Sequence, residues 1–165
     1  MISNDCITMK TNIFIASSSE LKRERFELVD LMLDINQEPA NKANGIKLEP
    51  VLWEYMDSSM RAQRKEDEYL AELRKCELCI VLFWNILGEY TLEELDVAVQ
   101  EMNAGNYPPK VFVFFKEPAP TISEGLADLK AHFGERYPSV IVETFDTTEI
   151  LRRKMLRIVR TIIRQ

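Results

Sequence analysis

Apolar residues along this chain alternate between short dense runs and longer stretches in which they recur every three or four positions. The dense runs read as strands at Asn12–Ala16, Leu48–Trp53, Leu78–Trp84, Val111–Phe115 and Val140–Phe145. The periodic stretches read as helices at 18–36, 61–75, 92–104, 122–133 and 147–164, since a helix buries one stripe of its surface. The polar stretch Asn36–Gly45 and the segments Gly105–Pro109 and Lys116–Pro120 read as surface connections. Five strand–helix units in succession predict a parallel sheet with helices on both faces.

The same pattern orders the strands. The first, third and fourth are apolar on both faces over Ile13–Ile15, Cys79–Phe83 and Val111–Phe115, as central parallel strands must be. The second contains Pro50, which cannot donate to a hydrogen-bond ladder and belongs at an edge. The fifth mixes Glu143 and Thr144 among its apolar residues and suits the other edge. The order 2-1-3-4-5 satisfies all five, which is a flavodoxin-like α/β three-layer sandwich. Its switch point, where ligands bind such sheets, lies beyond the carboxyl ends of the first and third strands.

Composition narrows the classes. A chain of 165 residues, 46% apolar and 29% charged, fits one globular domain and excludes disordered, collagen-like and coiled-coil classes. Its end inside a basic helix with no stop signal leaves room for a longer protein. The longest apolar run, Leu78 to Trp84, is far short of the ~20 residues that span a bilayer. Met1-Ile2-Ser3-Asn4-Asp5 has no basic start followed by an apolar stretch, so the expected compartment is the cytoplasm, with no membrane partner. Net charge is −6 but uneven: residues 147–165 carry +5 and the preceding body −11. An acidic body argues against nucleic acid, whose phosphates call for many cations. The basic final helix reads first as a docked helix with cations near its C-terminus.

Candidate chemistry gathers at the switch point. Ala16-Ser17-Ser18-Ser19-Glu20-Leu21 follows the first strand and brings hydroxyls to a helix start, where a phosphate or sugar hydroxyl can bind. It equally reads as a capping box, with Ser17 as N-cap and Glu20 reaching back. The same S/T/D-x-x-E spacing recurs at Thr91/Glu94, Thr121/Glu124 and Asp146/Glu149. Glu94 and Glu20 are the two of these glutamates placed at the crevice. Trp53, Trp84 and Tyr90 gather there too, with rings able to stack a purine or pyridinium. Neither G-x-G-x-x-G nor G-x-x-x-x-G-K-[ST] is present. Cys76-x-x-Cys79 leads into a strand, and Cys6 and His132 are the only other cysteine and histidine, so no metal site is expected and the pair reads as two buried thiols.

Phe14-Ile15-Ala16-Ser17-Ser18-Ser19-Glu20-Leu21 with Glu24-Arg25, then Leu52-Trp53-Glu54, then Cys79–Phe83 followed by Gly88-Glu89-Tyr90-Thr91-x-x-Glu94-Leu95-x-x-Ala98, resembles bacterial TIR-like domains over nearly the whole chain. The aromatic-x-x-x-Glu-Leu segment is the part where NAD-cleaving TIR domains carry their catalytic glutamate. Thr91-x-x-Glu94-Leu95-x-x-Ala98 is also similar to the glutamate segment of nucleoside 2-deoxyribosyltransferases, in which glycines usually stand at the positions of Tyr90 and Asp96. Ser18 and Ser19 stand where many TIR domains carry basic residues.

The resemblance implies an NAD hydrolase in which Glu94 is catalytic, Trp53, Trp84 and Tyr90 hold the rings, and Ser17 and Ser18 contact ribose or phosphate. NAD or a related nucleotide is then the substrate and no resident cofactor is needed. Self-association and a role in bacterial antiphage defence are implied as well. The alternatives are a deoxyribosyltransferase using the same Glu94, or a non-catalytic TIR-like interaction module in which Glu94 only caps its helix.

Overall fold

The computed structural model describes residues 9–52, 71–88, 90–104 and 110–163. Five strands, β1 (Met9–Ser17), β2 (Ile46–Val51), β3 (Leu78–Phe83), β4 (Lys110–Lys116) and β5 (Ile141–Phe145), form one parallel sheet in the order 2-1-3-4-5. Pro50 lies on edge strand β2, opposite Ile13 of β1, as its missing N–H dictates. This is the flavodoxin-like arrangement read from the sequence. No helix among the described residues is long and apolar enough to cross a membrane.

Alternation along the central strands splits the core in two. Ile13, Ile15, Ile80, Leu82 and Phe114 face α1 (Lys22–Gln37) and the last helix, α6 (Thr148–Ile163). Those helices meet them with Leu28, Met32 and Ile35, and with Leu151, Met155 and Val159, each set spaced by three or four residues. Phe14, Ala16, Cys79, Val81, Phe83, Val113 and Phe115 point to the other face, with Leu95 and Ala98 of α3 (Thr91–Ala104) and Leu126 and Leu129 of α4 (Glu124–Ala131). Truncating a ring as buried as Phe14 or Phe114 costs about 3–5 kcal/mol. Cys76 and Cys79 are buried free thiols, as expected; Cys6 lies outside the described residues.

Several boundaries differ from the reading of the sequence. The stretch Asn36–Gly45 is not a plain connection: it holds α2 (Pro39–Ala43), with Pro39 in the first turn, where its missing N–H costs nothing, and Gly45 at φ 67° after it. The helix expected at 122–133 breaks at His132 into α4 and α5 (Phe133–Arg136). Of the helix expected at 61–75, residues 71–74 are helical and 61–70 lie outside the described residues, as do Trp53, Glu54, Glu89 and Gly105–Pro109.

None of the four capping boxes forms in the expected register. Ser18, not Ser17, precedes a 3₁₀ turn (Ser19–Leu21) that leads into α1, and its side chain makes no cap bond. Tyr90, not Thr91, gives α3 its first acceptor carbonyl, taking the Glu94 N–H at 3.0 Å. Ser123 and Thr147 cap α4 and α6 through their hydroxyls. Hydroxyl and carboxyl residues are frequent near every helix start, so spacing alone misplaces the cap by one or two positions.

Candidate functional site

The register Ser17↔Leu82 brings the end of β1 beside the end of β3, and the two following segments touch. Gly88 is the point of contact. A Cβ added there would lie 2.5 Å from Thr91 Oγ1 and 3.3 Å from both Ser18 Cα and Ser18 Cβ, so only glycine fits without displacing a neighbour. Of the residues expected at the site, Ser17 and Ser18 thereby stand at one junction with the segment that leads through Tyr90 to Glu94.

Their environments differ. Glu94 sits in the first turn of α3 and is 5% exposed. Ser18 is 9% exposed, and its Oγ is buried with no hydrogen-bond partner among the described residues. A buried hydroxyl left unsatisfied costs about 1–3 kcal/mol, and such atoms often mark where another molecule binds. Ser17 is already engaged: its hydroxyl donates to the Ser18 carbonyl at 2.8 Å and accepts from Arg25 Nη1. Tyr90 and Ile86 stand exposed at the rim.

Trp84 is drawn to the other side of the sheet. It packs against the core beneath α1 and α6, donates its Nε1–H to the Pro118 carbonyl at 2.9 Å, and carries Lys116 Nζ 4.1 Å from its ring centroid. One ring face is therefore covered by a cation. Trp53 lies outside the described residues.

A set of residues beyond those expected organises the junction. Arg25, buried in the first turn of α1, donates to the Ser18 carbonyl at 2.9 Å and so holds the end of β1 in place. Glu24, equally buried, pairs with Lys116 at 2.8 Å and joins α1 to the end of β4. Glu20 does not reach back to its own helix. Its Oε1 accepts the N–H groups of Asn85 and Ile86, at 2.7 and 2.9 Å. Asn85, 7% exposed, takes the Ser123 N–H on its carbonyl and the Thr121 N–H on its side chain. The sequence signal for this set was the run Glu20-x-x-x-Glu24-Arg25, whose charges fall on the inward stripe of an otherwise amphipathic helix.

Beneath the junction the chemistry is closed. Burial, then Glu77 and Glu72, pushes the Cys76 thiol up to about 12. Burial, then Cys76 and the negative charge of Glu94, pushes Cys79 up as well. Neither thiol is a nucleophile at neutral pH. A cavity of about 240 Å³ lies by the start of β2, at the opposite end of the sheet, between Glu38, Asn41, Ile46 and Arg160. Glu38 there is already paired with Arg160 and Asn41. The junction of Ser18, Gly88 and Glu94 is accordingly the candidate site. Compared with known proteins, the chain matches no family model and no curated protein.

Proposed function

We propose that this chain is a TIR-like hydrolase of NAD that cleaves the nicotinamide N-glycosidic bond. The observation that carries the reading is Glu94: a buried carboxylate in the first turn of the helix that follows Gly88, the residue that packs against Ser18 at the switch point. Nicotinamide in NAD is cationic and leaves with its bonding electrons as a neutral base, so no acid is required. Positive charge then develops at the ribose C1′. A carboxylate shielded from water acts on that charge far more strongly than one in bulk solvent. Water adds to C1′ and loses a proton, giving ADP-ribose; attack by a group of the nucleotide itself gives a cyclic product. Ser18 contacts the ribose or a phosphate, and Tyr90 offers a ring at the rim.

The proposal extends to self-association and a part in antiphage defence, both drawn from the resemblance, and to a cytoplasmic setting, drawn from the opening residues of the sequence. A closing partner surface would exclude water from the substrate held at the exposed rim beside Tyr90. Activity per molecule is then expected to rise with protein concentration and to fall with salt, which screens the contacts between acidic body and basic tail. A non-catalytic interaction module is the second reading, favoured by the engagement of Ser17 and Trp84 within the fold. Incubation with NAD, and separately with deoxyinosine and a free base, followed by chromatography, decides between them. Nicotinamide release that Glu94→Gln abolishes supports the hydrolase. Base exchange supports the deoxyribosyltransferase, and no turnover at any concentration supports the module.

A further inference from the structure

Two successive backbone N–H groups converge on one carboxylate oxygen where the first and third strands end. Glu20 Oε1 receives Asn85 at 2.7 Å and Ile86 at 2.9 Å, from residues 65 and 66 positions further along the chain. Such charge-assisted bonds are about twice as strong as neutral ones. Residues 84–88 belong to no helix or strand, so their path is set by what holds them. The hold is passed on by Asn85, whose carbonyl and side chain fix Ser123 and Thr121 of the β4–α4 connection. Three residues beyond Asn85 the segment meets Ser18 at Gly88 with no room for a methyl group, and α3 with Glu94 follows.

The geometry points to Glu20 as the positioning residue of the site: it fixes the Asn85–Gly88 segment, and with it the first turn of α3 and Glu94, against Ser18. This rests on the reading of Glu94 as the carboxylate that acts on the ribose. Removing the Glu20 carboxylate leaves the Asn85 N–H buried without an acceptor and lets the segment relax. A displacement of ~1 Å at a reacting group costs on the order of 100-fold in rate. The substrate's remote contacts are untouched, so the loss falls on kcat and not on KM.

The test compares the full chain with Glu20→Ala and Glu20→Gln, with circular dichroism as a check on folding. Amide exchange at Asn85 and Ile86, read by NMR, needs no enzymatic activity. It is expected to speed up at least about tenfold in Glu20→Ala, with Leu82 in β3 unchanged as the internal control. Glu20→Gln keeps an acceptor oxygen and is expected to restore most of the protection. On NAD, Glu20→Ala should lose about 10- to 100-fold in kcat with KM within about twofold. If Glu20→Ala does not fold, Glu20→Asp, one methylene too short, takes its place with the same expectations. Unchanged exchange at Asn85 and Ile86 overturns the proposal, as does faster exchange with unchanged kcat. A KM that falls while kcat holds also overturns it, by showing that the two amides serve the substrate's anion once Glu20 is gone. A parent protein with no NAD turnover overturns the hydrolase reading, and the exchange rates alone then decide whether Glu20 holds the segment.

Discussion

The β1–α1 turn and the β3–α3 segment open from similar sequence patterns and do opposite work. In the first, the two carboxylates reach outward to other parts of the chain, Glu20 to the Asn85 and Ile86 amides and Glu24 to Lys116, while Arg25 ties the turn together through the carbonyls of Ser17 and Ser18. In the second, the backbone amides are the ones held, and the glutamate stays buried in the first turn of its own helix. One side is a clasp and the other is the part clasped, which carries the candidate reactive group. A glutamate four residues into such a pattern has no role by virtue of the pattern. What it meets across the sheet decides.

The largest expected effect tests the clasped side. Glu94→Gln should lower NAD turnover by about 10²–10³-fold, the cost of removing one group that stabilises developing charge, while the melting temperature barely moves. Unchanged turnover would leave both glutamates structural and erase the contrast. The clasp is tested next with Lys116→Met, which strands the Glu24 carboxylate, 6% exposed, without its cation. Because Lys116 is itself one-fifth exposed, we expect about 3 kcal/mol of stability to be lost in urea titration, the low end for breaking a buried pair. Adding Glu24→Leu should recover much of it. Gly88→Ala probes the seam itself and should cost about 1–3 kcal/mol by overpacking, less in a Thr91→Ala background where the nearest clash is removed.

The remaining effect is confined to alkaline pH and lies ahead of β3, at the end of the strand away from the seam. Burial first, then Glu77 and Glu72, raises the Cys76 thiol from 9.0 to about 12, so the folded chain keeps a proton that the unfolded chain loses. This contribution is whole below pH 9 and is lost as pH climbs from 9 towards 12. Cys76→Ala should flatten that alkaline decline in the urea midpoint. An equal slope in both proteins would place the titrating group elsewhere.

The sheet was legible because its signals are local. Pro50 marks one edge by what it cannot donate, Glu143 and Thr144 mark the other, and β1, β3 and β4 alternate apolar side chains to both faces. The junction was legible as a place, since strand order fixes the switch point, and the segment leading to Glu94 meets Ser18 there at Gly88. The clasp was not. Glu20 and Glu24 find partners 65 and 92 positions away, and periodicity reports which face a side chain takes, not which loop crosses it. The partners of Trp84 were hidden for the same reason: Lys116 and the Pro118 carbonyl come from the next strand and its loop. The polar stretch Asn36–Gly45 reads as a connection, yet Pro39 opens α2 within it.

Loops that rim a sheet usually vary in length among related chains, since insertions there disturb little. Asn85 removes that freedom. Its amide goes to Glu20 and its carbonyl and side chain to two residues of the β4–α4 connection, so one residue added between Phe83 and Asn85 would slide all three contacts out of register together. This rim can diversify by changing the identity of outward-facing residues such as Ile86 and Tyr90, but not by growing or shrinking. A designer seeking a new specificity here has a fixed frame with replaceable tips.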